Sequence, residues 1–216
     1  CPINPRNEAA ENAYILDNFD CAALLFHSKF ADLVDELRRQ LPKLELLVCL
    51  DAEQPFALSL DQWLAGVPDG PFQAEPVSDL AMLPGTGGTT GHPKAVMLTG
   101  RNLEAMTALT LIGYPFEGRP VYLAMAPLTH AAGVLTFPIM AHGGEVVIMP
   151  YPDTGEFLAL VSRHRVTHSF LPPTLIYMLL DHPALGATDL SSLQCFWYGA
   201  APISPARLEE AIDKIG

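Results

Sequence analysis

A stretch suited to phosphate lies near the middle of the chain: Leu83-Pro84-Gly85-Thr86-Gly87-Gly88-Thr89-Thr90-Gly91-His92-Pro93-Lys94. Closely spaced glycines let backbone N–H groups approach an anion and form a concave nest around it. Three threonines add hydroxyl donors, and Lys94 adds a mobile ammonium with three N–H donors. Such a loop suits a triphosphate better than an apolar ligand. Two common phosphate loops do not fit. The Walker A pattern needs Gly-Lys followed by Ser or Thr, whereas Pro93 precedes Lys94 and Ala95 follows it. The dinucleotide fingerprint G-x-G-x-x-G, begun at Gly85 and Gly87, meets Thr90 where its third glycine belongs.

Two further stretches could do chemistry. Ala126-Pro127-Leu128-Thr129-His130-Ala131-Ala132-Gly133 delivers a histidine after an apolar run, and Trp197-Tyr198-Gly199-Ala200-Ala201-Pro202-Ile203-Ser204 is a run of small residues. His164 and His168 have the four-residue spacing of a helical metal pair, but Val166 and Thr167 mark a change from helix to strand, so no metal is expected there.

In this order, the stretches resemble the signature segments of the adenylate-forming, or AMP-binding, enzyme superfamily. That superfamily includes acyl-CoA synthetases, luciferases and peptide-synthetase adenylation domains. Thr86 to Lys94 matches its loop pattern T-[SG]-G-T-T-G-x-P-K-G position by position, and Ala95 departs from the closing glycine. Val96-Met97-Leu98-Thr99-Gly100-Arg101-Asn102-Leu103 resembles "GVMLTHRNL", with Gly100 where His is common. The histidine stretch resembles "PLFHxxG", and the small-residue stretch resembles "GAAPIS". Asn4-Pro5-Arg6 and Glu11 to Leu16 look like "LNPR…EELAYIL".

The resemblance to the acyl- or aryl-CoA synthetase type implies a reaction and a set of roles. A fatty or aromatic carboxylic acid and ATP give an acyl-adenylate and pyrophosphate, and coenzyme A then takes the acyl group as a thioester. Mg²⁺ bridges the phosphates, with no protein metal ligand assigned. Thr86, Gly87, Gly88, Thr89, Thr90, Gly91 and Lys94 hold the β- and γ-phosphates. Gly199, Ala200, Ala201 and Pro202 let adenine stack against backbone. His130 lies between the acyl carboxylate and the α-phosphate. It acts by hydrogen bonding rather than as a general base, because a carboxylate is already deprotonated at neutral pH. Ala132, Gly133, Val134 and Tyr198 join His130 in lining an uncharged acyl pocket.

The resemblance also implies that the chain is an internal piece of the large N-terminal domain. It would comprise a lobe over 1–80 and a phosphate-loop lobe over 81–216, without the C-terminal domain, and would be inactive alone. Two alternatives stay open: an adenylation domain that loads a carrier protein, and a non-catalytic nucleotide-binding homologue. A homodimer is also left open.

Composition agrees with a nucleotide enzyme and excludes other classes. The chain has 216 residues, half of them hydrophobic, enough for a sizeable core. Its net charge of −12 argues against a nucleic-acid surface. The excess acid is concentrated at net −9 in residues 1–80, against −3 in 81–216. No apolar run is long enough to span a membrane. Cys1, Cys21, Cys49 and Cys195 form no C-x-x-C pair. The last three sit in apolar runs and read as buried thiols in a reducing cytoplasm.

The elements that must position these residues alternate between strand and helix. Periodicity predicts helices over 8–18, 30–40, 60–65, 102–111, 131–141, 154–163, 173–180 and 205–215. Ser28 and Ser204 read as N-caps. Strands are predicted over 46–50, 81–83, 121–126, 145–149, 169–171 and 194–198. The pattern means a doubly wound, mostly parallel α/β layer. In such a sheet ligands sit beyond the carboxyl ends of the strands, where the three chemical stretches are expected to meet.

Overall fold

The computed structural model describes residues 1–4, 7–68, 70, 80–86 and 94–216. Contacts group the chain into two units, 1–100 and 101–216.

The first unit begins with helix α1 (Ala9–Asn18), whose Ala13, Ile15 and Leu16 are buried. Asp20 adopts a left-handed backbone (φ 50°) and turns the chain into β1 (Ala23–Phe26). Helix α2 (Ala31–Gln40) buries Val34 and Leu37, while Asp35 pairs with Arg38 and Arg39 on its outer side. β2 (Leu46–Cys49) lies parallel to β1 in the register Ala23↔Leu46 to Phe26↔Cys49. A two-residue strand, β3 (Leu58–Ser59), pairs parallel with β2 and was not expected from the sequence. Ser59 and Gln62 then form a reciprocal capping box that starts α3 (Leu60–Leu64).

Ser28 does not cap α2. Its N–H and hydroxyl both donate to Asp51, each at 2.7 Å. The first turn is a 3₁₀ segment, Ser28–Phe30, capped by His27 Nδ1 accepting from the Lys29 N–H.

The rest of this unit is an antiparallel ribbon. β4 (Leu80–Met82) pairs with β7 (Leu98–Thr99), and β5 (Gly85–Thr86) pairs with β6 (Lys94–Ala95). The Val96 N–H donates to the Pro84 carbonyl at 3.1 Å and joins the two pairs into one ladder.

The second unit carries the larger sheet. Its elements are α4 (Gly100–Gly113), β8 (Val121–Ala124), α5 (Ala131–Val134), α6 (Thr136–Ala141), β9 (Glu145–Ile148), α7 (Thr154–His164), β10 (His168–Leu171), α8 (Pro173–Leu180), β11 (Cys195–Tyr198) and α9 (Pro205–Ile215). The sheet order is β11-β10-β8-β9, and every pairing is parallel.

Successive side chains on a strand point to opposite faces, so the sheet has two cores. Leu123 and Leu171 pack with Phe157, Leu158 and Val161 of α7 and with Ile176, Leu179 and Leu180 of α8. Tyr122, Ala124, Phe170 and Trp197 pack on the other face with Ala132 of α5 and Ile139 of α6. Helices on both faces of a parallel sheet are the doubly wound arrangement expected from the sequence.

Several local expectations need correction. The helix expected over 131–141 is two short helices with a break at Leu135, because Pro138 has no N–H to donate to the carbonyl of Val134. The Thr136 hydroxyl donates instead to the Gly133 carbonyl at 2.6 Å. Ser204 occupies the N-cap position of α9 but makes no side-chain cap, and its N–H donates to the Tyr177 hydroxyl at 2.8 Å. Of the three cysteines expected inside, Cys49 is buried while Cys21 and Cys195 are half-buried. Burial pushes the Cys195 thiol up to about 11 and the Cys21 thiol in the same direction.

Candidate functional site

The ribbon fixes both ends of the glycine- and threonine-rich loop. Thr86 is paired with Lys94, so the loop's lysine sits across the ladder from the first residue of the motif. Lys94 is exposed. Gly87, Gly88, Thr89, Thr90 and Gly91 lie outside the described residues.

His130 follows β8. Met125 and Ala126 continue into the core at the strand's end. A turn then brings the His130 N–H to the Pro127 carbonyl at 3.3 Å. His130 stands at the N-cap of α5 with an extended backbone, and its carbonyl accepts from the Gly133 N–H at 2.9 Å. Its imidazole is exposed, with Nδ1 lying 2.8 Å from the Thr129 hydroxyl.

The small residues after His130 have packing reasons for being small. A Cβ on residue 133 would collide with the backbone carbonyl of Leu128. Ala132 is buried in the core, and its carbonyl accepts from the Tyr122 hydroxyl at 3.1 Å. Val134 is half-buried.

The end of β11 delivers the third stretch. Trp197 is buried, whereas Tyr198 turns outward. Gly199 lies against the Phe170 ring, and a Cβ there would stand 3.4 Å from ring carbon Cε2. Ala200 has φ 68°, a left-handed conformation disfavoured for a residue with a side chain. Ala201 and Pro202 are exposed. Thus 199–202 offers mainly backbone and small side chains to solvent.

β8 and β11 flank β10 and run parallel to it. The His130 turn and the Gly199–Pro202 turn therefore leave the same carboxyl edge of one sheet. That edge is where open α/β sheets bind ligands.

His164 and His168 do not form a pair. His164 closes α7, whereas His168 opens β10 inside the core, 1% exposed, with Nδ1 lying 2.7 Å from the Thr167 hydroxyl. Burial lowers the His168 pKa to about 4, which keeps the ring neutral. Among the described residues, no group of three or more His, Cys, Asp or Glu could hold a metal ion. No described helix is long and apolar enough to cross a membrane.

Two features escaped the sequence reading. One is the Thr129 contact with His130, whose signal was a hydroxyl beside a candidate histidine. The other is the ring cluster around His168, which packs 4.4 Å from Phe116 and 5.2 Å from Trp197 between ring centroids. Nothing local in the sequence marks that cluster, because its members are far apart in the chain.

Known proteins of one family are similar to this chain along its whole length. The AMP-binding enzyme family matches residues 1–216. A medium/long-chain-fatty-acid–CoA ligase, FadD8 of Mycobacterium tuberculosis, is 32% identical over 99% of this chain and 39% of its own length. A feruloyl-CoA synthase of Amycolatopsis sp is 37% identical over 61% of this chain and 27% of its own. Among solved structures, the amide bond synthetase McbA from Marinactinospora thermotolerans superposes with a TM-score of 0.87 at 30% identity, covering 99% of this chain and 42% of that one. The chain thus spans about two fifths of the length of the ligase and the synthetase that it matches almost end to end.

Proposed function

The chain belongs to the AMP-binding enzyme family, and from that premise we propose that the whole protein activates a fatty or aromatic carboxylic acid with ATP. The carboxylate oxygen attacks the α-phosphorus, the bond to the β-phosphate breaks, and acyl-adenylate and pyrophosphate result. The thiol of coenzyme A then attacks the acyl carbon, giving a thioester, AMP and a proton. The observation that carries this reading is the Thr86↔Lys94 register, which sets a cation at the base of a glycine- and threonine-rich loop.

Each group is assigned work that its chemistry suits. The loop N–H groups, the hydroxyls of Thr89 and Thr90, and the Lys94 ammonium take the β- and γ-phosphates, where charge grows as pyrophosphate leaves. His130 orients the acyl carboxylate through a hydrogen bond. The backbone of Gly199–Pro202 forms part of the adenine wall, and Tyr198 with Val134 borders the acyl group. Mg²⁺, when bound, neutralises phosphate charge. The donor set of the loop is cationic and neutral, so it would hold the phosphates and leave the ion to phosphate oxygens and water.

The acid class rests on the uncharged character of Ala131 to Val134 and on the names of the relatives, which include a fatty-acid ligase and a feruloyl-CoA synthase. An amino-acid substrate would need a carboxylate for its ammonium, and none lies in this stretch. The acceptor has a second reading, an amine in place of the thiol, favoured by the likeness to an amide bond synthetase. The four cysteines are free thiols, which supports a reducing compartment such as the cytoplasm.

The test is acid-dependent exchange of labelled pyrophosphate into ATP by the full-length protein, over a panel of fatty, hydroxycinnamic and amino acids. Exchange with a fatty or aromatic acid, followed by thioester formation with coenzyme A, is expected. Exchange with amino acids alone would overturn the substrate class, and no exchange with any acid would overturn the reaction. Amide formation with an added amine in place of thioester would select the second acceptor.

A further inference from the structure

We propose that Thr129 is a positioning residue for His130, holding its imidazole in the tautomer that carries the proton on Nε2. The proposal rests on the role given to His130 above and deepens it. The observation is the 2.8 Å contact between the Thr129 hydroxyl and His130 Nδ1.

An imidazole ring has two faces of work. A neutral histidine donates from one nitrogen and accepts at the other, and the partner of the first nitrogen decides what the second can do. A carboxylate is only an acceptor, so the nitrogen that meets it must carry a proton. If the Thr129 hydroxyl donates to Nδ1, the proton stays on Nε2, which then donates to the acyl carboxylate.

The placement supports this assignment. Thr129 and His130 are both exposed, so the ring is not held by burial. The backbone around them is fixed at three points: the His130 N–H to Pro127 O, the Gly133 N–H to His130 O, and the close approach of Gly133 to Leu128. With the backbone fixed and the ring exposed, the hydroxyl supplies the missing constraint on rotamer and tautomer.

The other Thr-His pair in the chain makes a useful contrast. The Thr167 hydroxyl already donates to the Val121 carbonyl at 3.1 Å and accepts from the Val121 N–H at 2.8 Å. With its proton committed there, Thr167 can only accept from His168 Nδ1, which puts the His168 proton on Nδ1. Among the described residues the Thr129 hydroxyl shows no contact besides His130 Nδ1, so its proton is free to go to that nitrogen, the arrangement proposed here. The motif the chain resembles carries Phe at the position of Thr129, so this device belongs to the present chain's own residues.

Two measurements test it. In the full-length protein with ¹⁵N-labelled histidine, the ring shifts of His130 should report the Nε2–H form in wild type and in Thr129→Ser, and a mixture in Thr129→Val. The His168 signals should report Nδ1–H in all three. An unchanged His130 tautomer in Thr129→Val would overturn the proposal. In the full-length protein, Thr129→Val should lower kcat for adenylation about tenfold, the value of one hydrogen bond, with the KM for ATP unchanged and with recovery in Thr129→Ser. Wild-type kcat in Thr129→Val beside a crippled His130→Ala would overturn the positioning role and leave the function standing. Wild-type kcat in His130→Ala would overturn the role given to His130 and the positioning role with it, while the adenylation reaction itself stands.

Discussion

The backbone carbonyl of Leu128 occupies the space in which residue 133 would carry a Cβ, and Gly133 is the residue that permits this approach. The two residues bracket His130, so the glycine of this stretch fixes the turn that presents the histidine. Gly133→Ala should therefore act on stability and on the turn together. Overpacking against backbone costs about 1–3 kcal/mol, since no flexible side chain can move aside. Thermal unfolding should show the loss, and the ring shifts of His130 should move with it. Wild-type melting in this variant would mean that the turn relaxes without cost.

Ala200 should respond in the opposite direction. Its left-handed backbone costs a side-chain-bearing residue about 1–2 kcal/mol, which glycine avoids. Ala200→Gly is expected to raise stability by about 0.5–1 kcal/mol in urea unfolding, because relief of strain exceeds the added freedom of the unfolded chain. Destabilisation by the glycine variant would show that the methyl group makes a contact worth more than the strain.

Legibility in the sequence followed the range of the interactions. The alternation of strands and helices and the apolar faces of α7 and α8 are local patterns, and they placed the parallel sheet of the second unit correctly, whereas β1 of the first unit was missed. The bounds of α8 and α9 were read correctly because a proline at the first helical position is a local signal. What failed was competition between local and distant partners. Ser28 looked like a cap, but Asp51, after the neighbouring strand, offers its N–H and hydroxyl a carboxylate. Ser204 lost its cap role while Tyr177 took its N–H. The loop, His130 and the turn at 199–202 were singled out by residue type alone. The reason for Gly133 and the tie between Thr129 and His130 needed coordinates, because both depend on where a turn brings the backbone.

His168 makes the second unit sensitive to acid. Its pKa is lowered from 6.5 to about 4 in the folded chain by burial among Phe116 and Trp197. Between these values the unfolded chain binds a proton that the folded chain refuses. The contribution of His168 to stability is thus fully present above about pH 6.5 and declines as pH falls. It is lost once pH drops through the folded value of about 4. Between pH 7 and pH 5 the expected loss is about 2 kcal/mol. Urea unfolding at the two pH values should show it, and His168→Gln should flatten the difference whatever its own baseline stability. An equal loss in the variant would assign the acid sensitivity to other groups.

Lys94 provides the most direct test of the phosphate role. Its side chain is exposed at the start of a two-residue strand, so Lys94→Ala should leave the fold intact by circular dichroism and by melting temperature. It is proposed to meet charge that grows on the leaving pyrophosphate, an interaction stronger in the transition state than in the bound substrate. Lys94→Ala in the full-length protein should therefore reduce the rate of pyrophosphate release by about 10²–10³, equivalent to about 2–4 kcal/mol of lost transition-state stabilisation. The KM for the acid should change little, because Lys94 is assigned no contact with the acyl group. Thr89→Ala with Thr90→Ala should slow the same step by removing two hydroxyl donors. A Lys94→Ala enzyme with a wild-type rate constant and a raised KM for ATP would reassign the lysine to ground-state binding. Unchanged kinetics in both variants would remove the loop from the reaction.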